Sequence, residues 1–281
     1  MEFKSIEIGS VPTPLLHSFL LGAVAPRPIA FASTIDKEGN PNLSPFSFFN
    51  VFGSNPPIAI FSPARRVRDN SIKHTLENVL EVPEVVINVV DFTIVHQMSL
   101  SSCEYPKSVN EFEKAGFTAI PSENIRPFRV KESPVQLECK VKDVIYTGSE
   151  GGAGNLIVCE VLKIHIASRV LTEEGKIDQH KIDLVGRLGG DWYVRASGNA
   201  LFEVEKPNTK LGIGIDNLPK EIRESLVLTG NQLAQLANVS EIPTKTENKQ
   251  AMEKLSLNER HQQASALLQQ GLVEEAWQCL L

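Results

Sequence analysis

The sequence predicts an antiparallel β-barrel with short inserted helices over residues 1–204 and a helical extension over residues 205–281. Hairpin turns join several apolar segments of the first part, and strands joined by hairpins pair antiparallel. The regular βαβ alternation that indicates a doubly wound sheet is absent from the sequence pattern. After about residue 202, apolar residues recur at helical spacing instead.

Composition and charge restrict the class of protein. The chain has 281 residues, of which 42% are hydrophobic and 22% charged, as in ordinary globular proteins. Its net charge of -6 argues against a nucleic-acid-binding protein, which usually presents a basic face. The four cysteines lack metal-ligand spacing, so we expect no metal site. Neither a signal peptide nor an apolar run of the ~20 residues that a membrane helix needs is visible, so we expect a cytoplasmic protein without a membrane partner.

Up to residue 62, the predicted elements are a helical lead-in, a strand, a hairpin turn, a returning strand and a third strand. Pro26 and Pro28 hold the chain extended before the first strand, because each proline restricts the residue before it. Gly39 suits the positive φ of a hairpin turn. In chain order, these elements are Leu15–Ala25, Ile29–Ile35, Asp36–Asn40, Leu43–Phe52 and Ile58–Ser62.

The remaining elements alternate short helices with strands until the helical extension. Asp69 or Ser71 is expected to cap a helix that runs to Glu81. A glycine-rich hairpin at 148–154 joins the two longest strands. The predicted elements are the strand Glu84–Val90, the helices Phe92–Ser101 and Val109–Ala115, the long strands Val135–Thr147 and Asn155–Val170, the turn Thr172–Lys176, and the helices 216–238 and 247–281 around a polar linker at 243–250.

A basic loop after the third strand is a candidate anion site. Charged and neutral donors surround the start of the predicted helix, and helix N-termini, Arg and Lys all bind phosphate oxygens. The alternative is a solvated basic turn whose charges pair with Asp69 and Glu77. The donors are Ser62, Arg65, Arg66, Arg68, Asn70, Ser71, Lys73 and Thr75.

A segment of serine and phenylalanine precedes that loop. If alternate residues face one side, Ser44, Phe46 and Phe48 lie opposite Pro45, Ser47 and Phe49. A flat heteroaromatic ring binds to such a mixture of apolar surface and donors. The alternative is that the three phenylalanines belong to the core.

Familiar catalytic motifs are missing from the sequence. It has no GxSxG elbow, no Walker loop and no GxGxxG after a strand. The segment 151–155 is glycine-rich, but it lies between two predicted strands and is interpreted as a hairpin turn. The six histidines never pair as HxxxH or HExxH, so a metal enzyme or a triad hydrolase has no local support.

Segments from about residue 15 to residue 200 together resemble a known family. They read PRPIAFASTID (26–36), NLSPFSFFN (42–50), NPPIAIFS (55–62), KHTLENV (73–79), VVINVV (85–90), VNEFEKAGF (109–117), ESPVQLECKV (132–141), LIVCEVLKIHI (156–166) and VGRLGGDWY (185–193). As a series they resemble the flavin reductase-like family of FMN-binding split barrels, which includes flavoredoxin-type proteins. This family usually has Lys-Asp-Thr where the chain has Lys73-His74-Thr75.

The resemblance implies an antiparallel, Greek-key-like split barrel that forms a homodimer with FMN near the subunit interface. It places Ser33 and Thr34 near the flavin. It also implies a ring-binding set, a phosphate-binding set and a substrate-side set. These are Ser44, Pro45, Phe46, Ser47, Phe48 and Phe49 for the ring; Ser62, Arg66, Arg68, Lys73 and Thr75 for the phosphate; and His165, Arg187 and Tyr193 for the substrate side.

Three functions remain open at this stage. The first is NAD(P)H-dependent reduction of FMN, in which the reduced flavin serves an oxygenase or another acceptor; it needs no catalytic side chain, because the cofactor carries the reaction. The second is a non-enzymatic electron carrier with tightly bound FMN, for which the helical extension offers a docking surface or a cover. The third is another ligand such as haem or a pyridoxal-type phosphate, with His165 as the only residue in favour of haem.

Overall fold

The computed structural model describes residues 2–204, 211–246 and 255–281. The chain forms two compact units, Met1–Phe202 and Glu203–Leu281. The start of the second predicted helix of the extension, at 247–254, lies outside the described residues, as does the end of the predicted linker.

The first unit is built on a seven-stranded antiparallel sheet with the strand order β2-β1-β5-β8-β9-β4-β3. Two further pairs, β6-β7 and β10-β11, form small separate hairpins. The strands are β1 (Ala30–Ile35), β2 (Pro41–Phe46), β3 (Phe49–Ser54), β4 (Pro57–Phe61), β5 (Glu84–Asn88), β6 (Ala119–Ile120), β7 (Arg129–Val130), β8 (Val135–Tyr146), β9 (Asn155–Ile166), β10 (Val185–Arg187) and β11 (Tyr193–Arg195).

The sheet is curled into a barrel by the link between β2 and β3. These strands lie at opposite edges of the sheet, yet only Ser47 and Phe48 separate them. Three residues span at most about 11 Å, whereas seven strands laid flat span roughly 29 Å. The edges therefore approach each other, and the rings of Phe46 on β2 and Phe61 on β4 lie 5.5 Å apart inside the barrel.

Some helices pack on the barrel within the first unit, and others make up the second unit. The helices of the first unit are α1 (Thr13–Ala23), α2 (His74–Glu81), α3 (Val95–Leu100) and α4 (Glu111–Ala115). Those of the second unit are α5 (Lys220–Arg223), α6 (Gly230–Ala237), α7 (Leu257–Leu268) and α8 (Val273–Leu280). Within the described parts of the chain, no helix is long and apolar enough to cross a membrane.

Two large apolar clusters, besides a smaller one around Val135, Val170 and Ile182, stabilise the first unit. The barrel interior contains Phe61 and Ile157, both fully buried, and α2 closes it with Leu76 and Val79. The second cluster lies on the other face of β1, where α3 and α4 cover the sheet. Its members include Phe31, Leu43, Met98, Phe112 and Phe117.

The second unit has its own core around the fully buried Trp277, whose Nε1 donates to the carbonyl oxygen of Leu236 at 3.1 Å. Reciprocal capping boxes begin α6 at Thr229 and α7 at Ser256. The prediction of one continuous helix over 216–238 is wrong. The segment divides into α5 and α6, because Thr229 caps a new helix rather than continuing the first.

The predicted antiparallel barrel with inserted helices is confirmed, and so is the hairpin turn with Gly39, whose φ is +90°. The single returning strand predicted over Leu43–Phe52 is wrong. The chain bends at Ser47 and Phe48, so β2 pairs with β1 and β3 pairs with β4. The predicted strand Asn155–Val170 ends early, at Ile166.

Candidate functional site

Two adjoining cavities lie beside the end of β2. The basic cavity is lined by the basic loop and the segment after α3, including Ser44, Arg66, Lys73, Thr75, Ser102 and Glu104. The Tyr193 cavity has a volume of about 300 Å³ and is lined by Pro45, Phe46, Ser47, Ser102, Arg187 and Tyr193, among others. Ser102 lines both cavities, so the two adjoin at this residue.

The glycine-rich hairpin between β8 and β9 holds the basic loop in place. Arg65 exchanges backbone hydrogen bonds with it: its N–H donates to the Ala153 carbonyl at 2.9 Å, and its carbonyl accepts from Gly152 at 3.0 Å. A Cβ on Gly151 would lie 3.0 Å from the carbonyl oxygens of both Arg66 and Val67. A side chain at 151 would therefore require the backbone of Arg66 and Val67 to shift, because the two backbones approach so closely.

Hydrogen bonds within the loop set the start of α2. Arg66 Nη1 donates to Ser71 Oγ and to the Ile72 carbonyl, both at 2.8 Å. Asp69 Oδ1 accepts from the Ser71 N–H at 3.0 Å, and Asn70 has a φ of +56°. The predicted cap at Asp69 or Ser71 is therefore wrong, since these contacts keep residues 69–72 out of the helix. The α2 helix begins at His74.

Two cations, Arg66 and Lys73, line the basic cavity beside the carboxylates of Glu104 and Glu111. The side chain of half-buried Lys73 makes no hydrogen bond or ion pair with any residue that the structure describes. Burial lowers the pKa of Lys73, and the charge of Arg66 lowers it further. An anion in the cavity would oppose both effects on this pKa, as the charge of Glu104 already does, because an opposite charge favours the protonated amine.

The floor of the basic cavity is a buried polar network. Glu111, only 4% exposed, accepts from Asn42 Nδ2 and from the Leu43 N–H, each at 3.1 Å. Thr75 Oγ1 donates to Asn42 Oδ1 at 2.8 Å. Burial raises the pKa of Glu111. The network ties β2, α2 and α4 together beneath the cavity.

The Tyr193 cavity combines apolar walls with donors. The guanidinium of Arg187 lies 4.6 Å from the centre of the Tyr193 ring, on the β10-β11 hairpin. Pro45 and Phe46 supply apolar surface, and Ser47 supplies a hydroxyl. Its volume is at the lower end of the range for small-molecule sites, and its composition suits a flat heteroaromatic ring.

A buried arginine that the sequence analysis missed lies behind this cavity. Arg27 is 6% exposed and donates to the carbonyls of Leu21, Val24 and Leu188. Its Nε donates to Ser47 Oγ at 3.3 Å. Because Ser47 accepts from a cation, its own hydroxyl proton remains available for a ligand in the cavity. Burial, and then the charge of Arg187, lowers the pKa of Arg27.

The structure brings together part of each predicted set. The residues that line one of the two cavities are Ser44, Pro45, Phe46, Ser47, Arg66, Lys73, Thr75, Arg187 and Tyr193. The predicted residues that line neither are Ser33, Thr34, Phe48, Phe49, Ser62, Arg68 and His165. The predicted alternation fails at the end of β2, because the consecutive residues Pro45, Phe46 and Ser47 all line the Tyr193 cavity.

The residues outside the cavities have other contacts. Ser33 and Thr34 are fully buried in β1, where Thr34 Oγ1 accepts from Asn78 Nδ2 at 3.1 Å. Ser62 Oγ accepts from the Asn155 N–H at 3.0 Å. Phe48 packs edge-on against His17, and Phe49 packs against the barrel core. Arg68 pairs with Asp69 and Glu104 on the surface.

His165 lies away from both cavities. Its Nε2 is 2.8 Å from Oε1 of Glu138, a fully buried carboxylate that also accepts from the backbone N–H groups of Glu123 and Asn124. This contact gives the imidazole a structural partner within the sheet. It removes the single residue that favoured haem.

Several lining residues were not singled out from the sequence. Ser102 and Glu104 follow α3, while Asn42 and Glu111 lie in β2 and α4. No local pattern marks them, since they reach the cavity only through tertiary packing. Arg27 did carry a signal: a charged residue lies between two prolines directly before an apolar strand.

Comparisons with known proteins agree with this geometry. A flavin reductase-like domain matches residues 22–180, more than half of the 281-residue chain. An uncharacterized protein of Aquifex aeolicus is 39% identical over 189 residues, which cover 67% of this chain and 94% of that protein.

Two solved structures have similar folds and at least a quarter of their residues identical. Nitrilotriacetate monooxygenase component B from Bacillus cereus has a TM-score of 0.67 and 30% identity, covering 73% of this chain and 100% of that one. The 2-nitrobenzoate 2-nitroreductase from Pseudomonas fluorescens has a TM-score of 0.66 and 26% identity, covering 75% and 100%.

The chain belongs to the flavin reductase-like family, as its resemblance implied. This membership supports a flavin cofactor and a flavin oxidoreductase kind of function. Residues 203–281 lie beyond the matched domain.

The contact at Gly151 generates a prediction about the basic loop. In Gly151→Ala, the new methyl group forces the backbone of Arg66 and Val67 to move by a few tenths of an ångström. We expect FMN to bind roughly fivefold more weakly, because its charge-assisted bonds become poorly aligned. Riboflavin, which lacks the phosphate, should bind as before.

Fluorescence titration of both flavins measures this effect. The matched control is Gly148→Ala, whose methyl group would meet only the Cβ of Ala153, at an ordinary 3.4 Å. Equal effects of the two substitutions on FMN binding would contradict a role for the glycine-rich hairpin in holding the loop.

Proposed function

We propose that the protein binds FMN across the two adjoining cavities and catalyses its reduction by NADH or NADPH. The observation that carries this proposal is their arrangement: an unpaired, half-buried Lys73 lies in a cavity that Ser102 joins to a ring-sized one. Phosphate and isoalloxazine groups of one molecule require that pairing of charge and apolar surface.

The basic cavity fits the phosphate. Arg66 and Lys73 supply charge, while Thr75 and Ser102 supply hydroxyls. The first N–H groups of α2 lie beside them and have no partner within the helix. The ammonium group of Lys73 supports this assignment further, because it has no hydrogen-bond or ion-pair partner among the described residues, although the charge of Glu104 acts on it.

The Tyr193 cavity fits the ring. Pro45 and Phe46 provide an apolar wall, and Ser47 provides a donor with Arg27 behind it. When bound, FMN supplies the redox chemistry, since its N5 atom accepts a hydride from the nicotinamide. A cation-supported donor such as Ser47 stabilises negative charge that develops on a bound ring.

Arg187 and Tyr193 are the proposed contacts for the nicotinamide nucleotide. Both line the cavity from the β10-β11 hairpin, opposite the end of β2. The tyrosine ring offers a face for stacking, and the arginine offers charge for the nucleotide's phosphates. The chain's own residues thus hold and orient two rings, without a nucleophile or a metal.

The Bacillus cereus neighbour, a monooxygenase component, favours an oxygenase as the acceptor of reduced flavin. The Pseudomonas fluorescens neighbour, a nitroreductase, favours direct reduction of a small substrate instead. A carrier that only exchanges electrons with a protein partner is the alternative that the first experiment separates.

We also propose that a second copy of the chain covers the edge strand β3. Val51 and Phe52 on this strand are 59% and 65% exposed. The strand contains no charged residue, although exposed edges usually carry charges that prevent pairing. A homodimer through this edge would bury both side chains.

The first test is the reaction itself. Purified protein mixed with FMN and either NADH or NADPH should oxidise the nucleotide, at a rate on the order of 1 s⁻¹ or faster. The nicotinamide absorbance band reports the rate, and a protein-free mixture is the control. No oxidation above this control with either nucleotide would contradict the proposal. A yellow protein that dithionite reduces but neither nucleotide does would support the carrier.

Lys73 supplies the second test. Lys73→Met should weaken FMN binding roughly tenfold to a hundredfold, the value of one charge-assisted bond, and leave riboflavin binding unchanged. Arg66→Ala should act in the same direction. Equal losses for both flavins in isothermal titration would mean that the basic cavity does not hold the phosphate.

The pKa of Lys73 adds a pH dependence to this test. Burial and Arg66 lower this pKa below 10.5 in the cavity, and a bound phosphate raises it again. Binding therefore takes up a proton at alkaline pH. FMN should bind with its full affinity below the lowered pKa of Lys73, and the affinity should fall as the pH rises through this pKa. A decline of the same size in Lys73→Met would contradict this assignment.

The edge strand gives the third test. Sedimentation equilibrium should show a particle of twice the 31.0 kDa chain mass for the wild type and a single chain for Phe52→Glu. Burying a charge against a second copy is costly, so the substitution should separate the chains. The matched control is Leu80→Glu, at a residue that is 55% exposed on α2. A dimeric Phe52→Glu would exclude this interface.

A further inference from the structure

Glu104 brings a carboxylate into the basic cavity. It follows α3 and lies 38 residues along the chain from Arg66. Its Oε1 accepts from Arg66 Nε at 2.9 Å, and its Oε2 accepts from Arg68 Nη2. One carboxylate thus pairs with Arg66, a proposed phosphate donor, and with Arg68 on the surface.

The other acidic side chains of this region have different partners. Asp69 accepts from Arg68 and from Ser71 within the loop itself. Glu77 pairs with Lys107 at 3.4 Å. Among the described residues, Glu104 is therefore the acid whose contacts coincide with the proposed phosphate donors.

Limited space and like charge both oppose the binding of a phosphate beside Glu104. The basic cavity has a volume of about 20 Å³, which holds roughly one water molecule. A phosphate that accepted from Arg66 Nε would take the place of the Glu104 carboxylate, which accepts from that atom. If the carboxylate stayed beside it, two like charges would lie within a few ångströms of each other.

We propose that Glu104 is a built-in competitor of the FMN phosphate and weakens flavin binding enough to allow exchange. This inference rests on the proposed function and deepens it. A bond from Arg66 Nε to a phosphate replaces the bond from this atom to Glu104, so its net gain is smaller than for a free guanidinium. A flavin held in this way leaves the site between turnovers, as reduction of a diffusible flavin requires.

The competition between Glu104 and the ligand also predicts which anions the basic cavity selects. A phosphate dianion forms more and stronger charge-assisted bonds than one carboxylate, so it displaces Glu104. A weaker or singly charged anion does not. Riboflavin has no group that competes for Arg66, so Glu104 should not affect its affinity.

Glu104→Gln in the full-length protein tests the proposal. The substitution removes the competing charge and keeps the size of the side chain. We expect the Kd for FMN to fall about tenfold, with slower dissociation in stopped-flow measurements and an unchanged Kd for riboflavin. Glu104→Ala should change FMN binding in the same direction, because its carboxylate is absent as well.

The matched control is Glu123→Gln. Glu123 is an exposed acid of the same unit that pairs with Lys163 and lines neither cavity. Glu123→Gln makes the same change in net charge as Glu104→Gln, so its effect on FMN binding measures the general electrostatic contribution. We expect less than a twofold change.

The outcomes separate this inference from the proposed function. FMN binding that stays equal or weakens in both Glu104 variants overturns the competitor, and a weakening would show that Glu104 positions Arg66 instead. If the wild type itself binds FMN no more tightly than riboflavin, the phosphate assignment fails, whatever Glu104 does.

Discussion

The structure depends on the two-residue link Ser47–Phe48 between strands at opposite edges of one sheet. So short a link cannot cross a flat sheet of seven strands, so the sheet curls until Phe46 packs against Phe61. The same link leaves the end of β2 at the rim of the barrel, where Pro45 and Phe46 line the Tyr193 cavity. Closure of the barrel and formation of the candidate site therefore have one cause.

Two sets of backbone contacts then hold positive charge at this rim in an acidic protein. The glycine-rich hairpin lies close to the backbone of Arg66 and hydrogen bonds to the backbone of Arg65. These contacts orient the basic loop. Three carbonyl groups hold Arg27 behind Ser47, so a buried cation supports a hydroxyl that lines the Tyr193 cavity. In the proposal made above, Glu104 limits the charge that this arrangement offers to a phosphate. Strong donors beside an internal anion would suit a ligand that must bind and leave.

Local patterns predicted much of the fold, because hairpin turns and strand propensity are properties of short segments. They were less informative where long-range pairing decides the outcome. The segment Leu43–Phe52 has a continuous strand pattern, yet it divides, since its two halves pair with different strands. Asp69 and Ser71 are good caps by residue type, but contacts from Arg66 keep them outside α2.

By itself, the sequence determined the kind of fold, the family resemblance, and the donors Arg66, Lys73 and Thr75, since these lie together along the chain. Only the tertiary structure decided which of the predicted residues share a cavity. Arg68 and His165 line neither cavity. Arg68 pairs with Glu104, and His165 forms a hydrogen bond with Glu138. The tertiary structure also added Arg27, Ser102 and Glu104. The physical reason is that charge pairing and burial are set by neighbours in space, which no spacing along the chain encodes.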